Sequence, residues 1–306
     1  MMQLPKQVTL KEVGPRDGLQ NEKVHMATAD KVQLVNLLSE TGLNYIEVTS
    51  FVHPKWISQL ADAVDVLQAI KREKNCTYAA LIPNMYGLER ALQVNIDEAS
   101  VFMSASESHN QNNINKSIAE TFPVLKEVVL GAKSAGKQVR GYISTVIGCP
   151  YEGYIQPEQV LRVVDKYMEM DIAEISLGDT IGVGVPTQVE RLLEQLFKRY
   201  PTEKFAMHFH DTRGTALANI MKSMELGITK FDSAIGGLGG CPYAKGASGN
   251  VATEDLLYLL NGMGIHTGVE MNALLEAATF VEQKLGKSVA SKQMAIVRNE
   301  RSTQAG

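Results

Sequence analysis

The chain has 306 residues, 44% of them apolar and 21% charged, which is ordinary for a folded globule and far from the composition of a disordered chain. Its 30 Lys and Arg against 34 Asp and Glu give a formal charge of −4, with no basic patch of the kind that neutralises phosphate backbones, so no nucleic-acid partner is expected. No apolar run approaches the roughly 18 residues that cross a bilayer, the amino terminus carries no leader-like stretch, and Cys76, Cys149 and Cys241 are an odd set without close pairing; no membrane partner and a reducing, cytoplasmic setting are the expectations.

In chain order, Val8–Val13 reads as the first strand and runs into Gly14-Pro15-Arg16-Asp17-Gly18. A charged pair between two glycines is poorly explained by packing. The bland alternative is a turn or cap aspartate, but the next helix, Thr28–Ser39, begins only about ten residues later. Seven more runs read as strands: Tyr45–Phe51, Thr77–Pro83, Glu98–Ser104, Gln138–Val146, Glu174–Asp179, Phe205–His210 and Lys230–Ile235. Between them, Trp56–Lys71, Ile118–Ser134, Pro157–Met168, Pro186–Arg199, Thr212–Leu226 and Thr253–Asn261 carry apolar residues at helical spacing. Thr28 ahead of Asp30, Pro157 and Pro186 mark helix starts; Gly42, Gly136 and Gly227 mark helix ends. Lys71-Arg72-Glu73-Lys74 is a solvated helix end, and Trp56 and the methionines at helical spacing read as core.

Eight strands alternating with helices imply an α/β fold, a TIM (β/α)8 barrel. A doubly wound open sheet competes with it. Such a sheet would gather its unusual residues at one switch point, whereas here they fall at the carboxyl ends of nearly every strand. One catalytic domain over 1–306 is expected, with 269–306 forming a C-terminal helix, Val269–Leu285, and a tail frayed at Ser302–Gly306.

His208 and His210 stand two apart on a strand, so both imidazoles point to one side, into the mouth if the strand ends there, while Phe209 faces outward. Such a pair at a strand end reads as a metal site rather than as two core histidines. The segment from Gly236 to Asn250 holds Cys241 among its glycines and reads as a loop that bends freely or approaches a ligand closely. A phosphate cradle is the bland reading, but it leaves the cysteine unexplained. Gly182-x-Gly184 lacks the third glycine of a dinucleotide fingerprint. Surface or loop roles are expected for His25, His53, His109 and His266, with His109 and the polar run after it also candidate substrate contacts.

Four motifs carry a family resemblance: Val13-Gly14-Pro15-Arg16-Asp17-Gly18-Leu19-Gln20-Asn21-Glu22, the strand end Glu47-Val48-Thr49-Ser50-Phe51, His208-x-His210-Asp211, and the Gly-Gly-Cys-Pro-Tyr-Ala loop leading to Asn250. With them the chain closely resembles the 3-hydroxy-3-methylglutaryl-CoA (HMG-CoA) lyases, within the metal-dependent barrel lyases and aldol-type synthases. The resemblance implies a carbon–carbon lyase that takes an acyl-CoA substrate and yields acetyl-CoA and acetoacetate, as in leucine breakdown and ketone-body formation. It implies Asp17, His208, His210 and Asn250 as metal ligands, Arg16 and Cys241 as catalytic residues, and Glu47 and Asp179 as further active-site residues. A homodimer is the expected assembly.

Two imidazoles with carboxylate and amide oxygens favour Mg²⁺ or Mn²⁺ over Zn²⁺, with non-haem iron as an alternative. In this reading Asp17 or a site histidine is the base, Arg16 faces the thioester oxygen and Cys241 protonates the enolate. Cys149, in a similar Gly-Cys-Pro-Tyr run, rivals Cys241 on sequence alone. Asp179 and Glu47 read equally as hydroxyl contacts or as structural acids of the barrel mouth. Lys245, Asn112 and Asn113 are candidate CoA contacts. The competing functions are a related synthase or aldolase acting on 2-oxo acids, which would not need Cys241, and a non-catalytic CoA-binding barrel, which would tolerate loss of Arg16.

Overall fold

A computed structural model of the chain describes residues 4–239 and 249–304; Cys241 and Lys245 lie outside the described residues. The strands are β1 (Thr9–Glu12), β2 (Tyr45–Ser50), β3 (Thr77–Leu81), β4 (Glu98–Ser104), β5 (Gln138–Ser144), β6 (Gly148–Cys149), β7 (Gly153–Tyr154), β8 (Glu174–Asp179), β9 (Phe205–Phe209) and β10 (Lys230–Ser233). All but the antiparallel β6–β7 hairpin close into one barrel in the order β1-β10-β9-β8-β5-β4-β3-β2, paired parallel throughout. Each expected strand is present, within a residue or two of its expected bounds.

The expected helices α1 (Thr28–Ser39), α5 (Ile118–Ser134), α6 (Pro157–Glu169), α7 (Pro186–Phe197), α8 (Ala216–Glu225), α9 (Thr253–Gly262) and α10 (Met271–Leu285) surround the barrel, and Pro157 and Pro186 occupy first turns. Gly42, Gly136 and Gly227 have φ of 89°, 72° and 97° just past helix ends, the left-handed conformation that glycine adopts at least cost. Several details differ from the sequence reading. Trp56–Lys71 is a short 3₁₀ turn, Ser58–Leu60, followed by α2 (Ala63–Ala69). Trp56 itself is 66% exposed rather than core. Thr28 is not a cap, because its hydroxyl donates to Asp62 Oδ2 at 2.7 Å.

Three helices were not expected: α3 (Met85–Gln93), α4 (Glu107–Ile114) and α11 (Lys292–Gln304). The last takes in Ser302–Gln304, so that part of the supposed tail is helical. Its start is anchored from afar. Asp255 of α9 accepts from Ser291 Oγ and from the backbone N–H groups of Lys292 and Gln293, at 2.9–3.0 Å.

The barrel reverses the usual division of polarity, in which branched apolar side chains fill the interior. On β5, Arg140 and Tyr142 bond to Asp232 of β10 and Glu47 of β2, strands that are not their neighbours, so these bonds cross the lumen. Residues of opposite parity, such as Ile46, Ile143, Ile175, Leu177, Met207 and Phe231, are fully buried in the apolar core. Arg140 has no exposure; it donates to Glu174 at 2.7 Å, to Tyr142 Oη at 2.6 Å and to Asp232 at 2.6 and 3.3 Å. Removing one partner of such a buried set strands a charge, at a cost of about 3–5 kcal/mol.

A second buried polar cluster braces the mouth. Glu12 accepts from the N–H groups of Gly14 (2.7 Å) and Ile235 (2.8 Å) and from Thr253 Oγ1 (2.6 Å), while both oxygens of Glu254 accept from Gly236 N–H at 2.9 and 3.0 Å. Burial pushes the Glu12 carboxyl up to about 7, and burial with Glu12 nearby pushes Glu254 up to about 8. A carboxyl raised in the fold favours folding below its unfolded pKa near 4.5, and that contribution fades as pH rises through about 8. The thermal midpoint of the metal-free protein should therefore fall between about pH 5 and 9, and Glu254→Gln should flatten the fall by several degrees, at about 2–4 °C per kcal/mol. Calorimetric scans across that range check it; parallel curves for the two proteins would remove Glu254 as the cause.

Candidate metal and active site

Immediately after β1 the chain makes a wide π-type turn, Gly14–Gly18, in which the N–H groups of Arg16, Asp17 and Gly18 converge on the Val13 carbonyl at 3.1, 2.7 and 3.3 Å. Turns of this kind are rare and gather at functional sites. Both flanking glycines are required by packing: a Cβ on Gly14 would lie 2.5 Å from Glu12 Oε1, and one on Gly18 would lie 2.7 Å from Leu238 Cβ. The turn thus presents Arg16 and Asp17 together beside the glycine segment that follows β10.

Arg16 is held from three sides. Nε donates to Glu47 Oε2 at 2.5 Å, Nη1 donates to Asp17 Oδ1 at 2.6 Å, and the Tyr142 ring lies under the guanidinium at 5.3 Å. Burial opposes its charge, but Glu47 and Asp17 outweigh that and keep it protonated. Glu47 is fully buried; Oε2 also accepts from Tyr142 Oη at 3.2 Å, and Oε1 has no hydrogen-bond partner among the described residues.

The ligand-capable atoms of Asp17, His208 and His210 all lie within 4.8 Å of one another, the one such group of three among the described residues. His208 Nε2 is 3.9 Å from Asp17 Oδ2, and the two imidazole rings are 5.3 Å apart. The donor set fits a divalent cation on two counts. His210 Nδ1 is buried without a hydrogen-bond partner among the described residues, and such a nitrogen is costly unless something binds it. Burial, then His208, press the His210 pKa down to about 4, so its ring is neutral near pH 7 and keeps a lone pair. Burial alone would raise Asp17, but Arg16, then the histidines and the Asn250 amide, hold it at about 2 as a carboxylate.

Asn250 reaches the cluster through an isolated bridge with His210, its Nδ2 donating to Asp17 Oδ2 at 2.8 Å and to the Leu238 carbonyl at 3.0 Å. Gly239 makes that approach possible: its φ is 98°, and a Cβ there would lie 2.6 Å from Asn250 Nδ2. Asp179 is also fully buried, but its two oxygens accept from the N–H groups of Val183 (3.2 Å) and Gly184 (2.8 Å). It braces the loop after β8 and is not one of the three clustered donors.

These groups open on a cavity of about 540 Å³, lined by Arg16, Asp17, Tyr142, His208 and His210 and by apolar residues including Leu81, Phe102 and Leu125. Asn113 and the exposed Trp56 also line it, whereas Asn112 spends its amide on the Ser108 carbonyl. His109, expected in a surface or loop role or in reach of substrate, is 4% exposed, lies on α4 and lines the same cavity. Cys149 is buried with Sγ 3.0 Å from Ser106 Oγ and does not line the cavity. The sequence reading missed Tyr142, Arg140 and Asp232. Only the pairing of β9 with β10, which sets Asp232 beside His208, and the contacts across the lumen bring them to the site.

A closed parallel barrel whose strand ends gather a carboxylate, two imidazoles and a buried arginine around a cavity of this size defines a barrel enzyme with a metal-type centre. The HMGL-like family model matches residues 7–281, and the chain belongs to that family. It is 56% identical to hydroxymethylglutaryl-CoA lyase YngG of Bacillus subtilis, covering 97% of this chain and 100% of that one. It is 53% identical to a 3-hydroxy-3-isohexenylglutaryl-CoA/hydroxy-methylglutaryl-CoA lyase of Pseudomonas aeruginosa, over 95% and 97% of the two chains. The crystal structure of the Bacillus subtilis HMG-CoA lyase superposes with a TM-score of 0.96, over 97% of this chain and 100% of that one, at 56% identity.

Proposed function

We propose that the protein is a divalent-metal-dependent carbon–carbon lyase that cleaves HMG-CoA to acetyl-CoA and acetoacetate. The observation that carries this reading is the convergence of Asp17, His208 and His210 beside Arg16 at one cavity, in a chain of this family. Asp17, His208 and His210 would hold the ion, with Asn250 joining by turning its amide to present Oδ1. The mix of oxygen and imidazole donors favours Mg²⁺ or Mn²⁺. When bound, such an ion supplies Lewis-acid polarisation of hydroxyl and carboxylate oxygens.

Cleavage removes the proton of the tertiary hydroxyl, breaks the C2–C3 bond as the new ketone forms, and leaves the electron pair on the thioester enolate, which then takes a proton at carbon. Asp17, or His210 through whichever ring nitrogen does not hold the ion, is the proton acceptor at the polar end of the cavity. Arg16, locked by Glu47 and Asp17, directs fixed positive charge to where the thioester oxygen becomes negative, without reorganising as it does so. Cys241 is the proposed donor to the enolate carbon, since an unperturbed thiol, with pKa of about 8.5, is a usable acid near neutrality. Asp179 acts through the loop it braces.

We further propose a homodimer and a cytoplasmic setting, the latter supported by Cys76 and Cys149 being free thiols; no helix among the described residues is long and apolar enough to cross a membrane. Purified protein given HMG-CoA, Mg²⁺ and a thiol reductant should release acetyl-CoA, and should not condense acetyl-CoA with 2-oxo acids. Condensation without cleavage would reassign it to the related synthases that act on 2-oxo acids.

A further inference from the structure

We infer that Asp232 is a positioning residue that presets His208 for metal binding by fixing which ring nitrogen carries the proton; the inference rests on the metal reading above. The pairing of β9 with β10 sets Asp232 directly beside His208. The carboxylate is buried with all its bonds to protein groups: Oδ1 accepts from Arg140 Nη2 at 2.6 Å, and Oδ2 accepts from Ser176 Oγ at 2.8 Å, Arg140 Nη1 at 3.3 Å and His208 Nδ1 at 3.2 Å.

A carboxylate can only accept. His208 Nδ1 must therefore carry the ring proton, because the other tautomer would set two lone pairs against each other at that distance. The lone pair is then left on Nε2, the nitrogen that faces Asp17 at 3.9 Å. His210 has no such support, since its Nδ1 meets no hydrogen-bond partner among the described residues. The two histidines are thus unequal: one arrives in a fixed tautomer and orientation, the other does not. Arg140 extends the device. The same guanidinium that pins Asp232 donates to Tyr142 Oη, and Tyr142 donates to Glu47, the partner of Arg16. One buried cation therefore steadies both the imidazole and the guanidinium sides of the site.

A purely structural role for Asp232, neutralising Arg140, makes no statement about the His208 tautomer, and this separates the two readings. In metal-free wild type labelled with ¹⁵N-histidine, with the His208 signal assigned by its loss in His208→Gln, NMR should show proton attachment at Nδ1; attachment at Nε2 overturns the inference. That measurement needs no Asp232 variant and so stands even if one fails to fold. In Asp232→Asn, Mn²⁺ affinity read by electron paramagnetic resonance should fall about 10–100-fold, the usual cost of losing an outer support of a ligating histidine. A folded variant with wild-type affinity overturns the inference alone. Wild type that binds no Mn²⁺ overturns the metal site and this inference together.

Discussion

Replacing Arg16 by lysine should lower kcat on HMG-CoA by about 10²–10³-fold, the range seen when one preorganised donor to a developing oxyanion is lost. Lysine keeps the positive charge, so Glu47 is not left as a buried unpaired acid, and the fold should survive with a small change in thermal midpoint. Lysine cannot keep the geometry. Arg16 uses two different nitrogens at once, Nε on Glu47 and Nη1 on Asp17, with its plane against Tyr142, and a single ammonium cannot reproduce that planar fork. Mn²⁺ affinity should change far less than kcat. An Arg16→Lys protein with near wild-type turnover would show that the fork does not face the reacting thioester.

The second large effect separates two kinds of residue. His208→Ala should weaken Mn²⁺ binding by more than the ~10–100-fold expected from disturbing its support, and activity should fall with it. Cys241→Ser should abolish most turnover yet leave Mn²⁺ affinity close to wild type, because the resemblance makes that thiol a proton donor and not a ligand. Titration of Mn²⁺ by electron paramagnetic resonance alongside acetyl-CoA release reads both quantities. If Cys241→Ser kept full turnover, the proton would have to come from another group, and His109, buried and lining the cavity, would be the next candidate.

The barrel was legible because eight strand-like runs alternate with segments of helical spacing and because glycines and prolines punctuate the helices. What stayed hidden was information the local pattern does not hold. Helix α4 is polar apart from Ile114 at its end, and it is closed by a Ser106 cap accepting from His109 N–H at 3.0 Å and a left-handed Asn115 at φ 54°. Helix α11 takes its N-terminal partners from Asp255 on another helix. Trp56 looked like core because large aromatic rings are usually buried, yet it lies exposed at the cavity.

The candidate site divides in the same way. Arg16, Asp17, His208 and His210 announce themselves as charged or ligating side chains in glycine-flanked or alternating patterns, and the fold brings them together. Asp232 in Lys230-Phe231-Asp232-Ser233 carries no such local mark, and neither do Arg140 and Tyr142. Their meaning depends on strand pairing and on bonds across the lumen. Asp179, which the sequence leaves open between a hydroxyl contact and a structural acid, accepts from the backbone N–H groups of Val183 and Gly184 in the loop after β8, one to each oxygen.

The most direct measurement strips the protein of metal with a chelator, adds HMG-CoA, and follows acetyl-CoA and acetoacetate as Mg²⁺ or Mn²⁺ is returned. The metal-free protein should be inert, and either ion should restore formation of the two products in equal amounts. Failure of both ions to support cleavage, or equal cleavage in the stripped protein, would contradict the assignment of Asp17, His208 and His210 as the heart of a metal-dependent lyase.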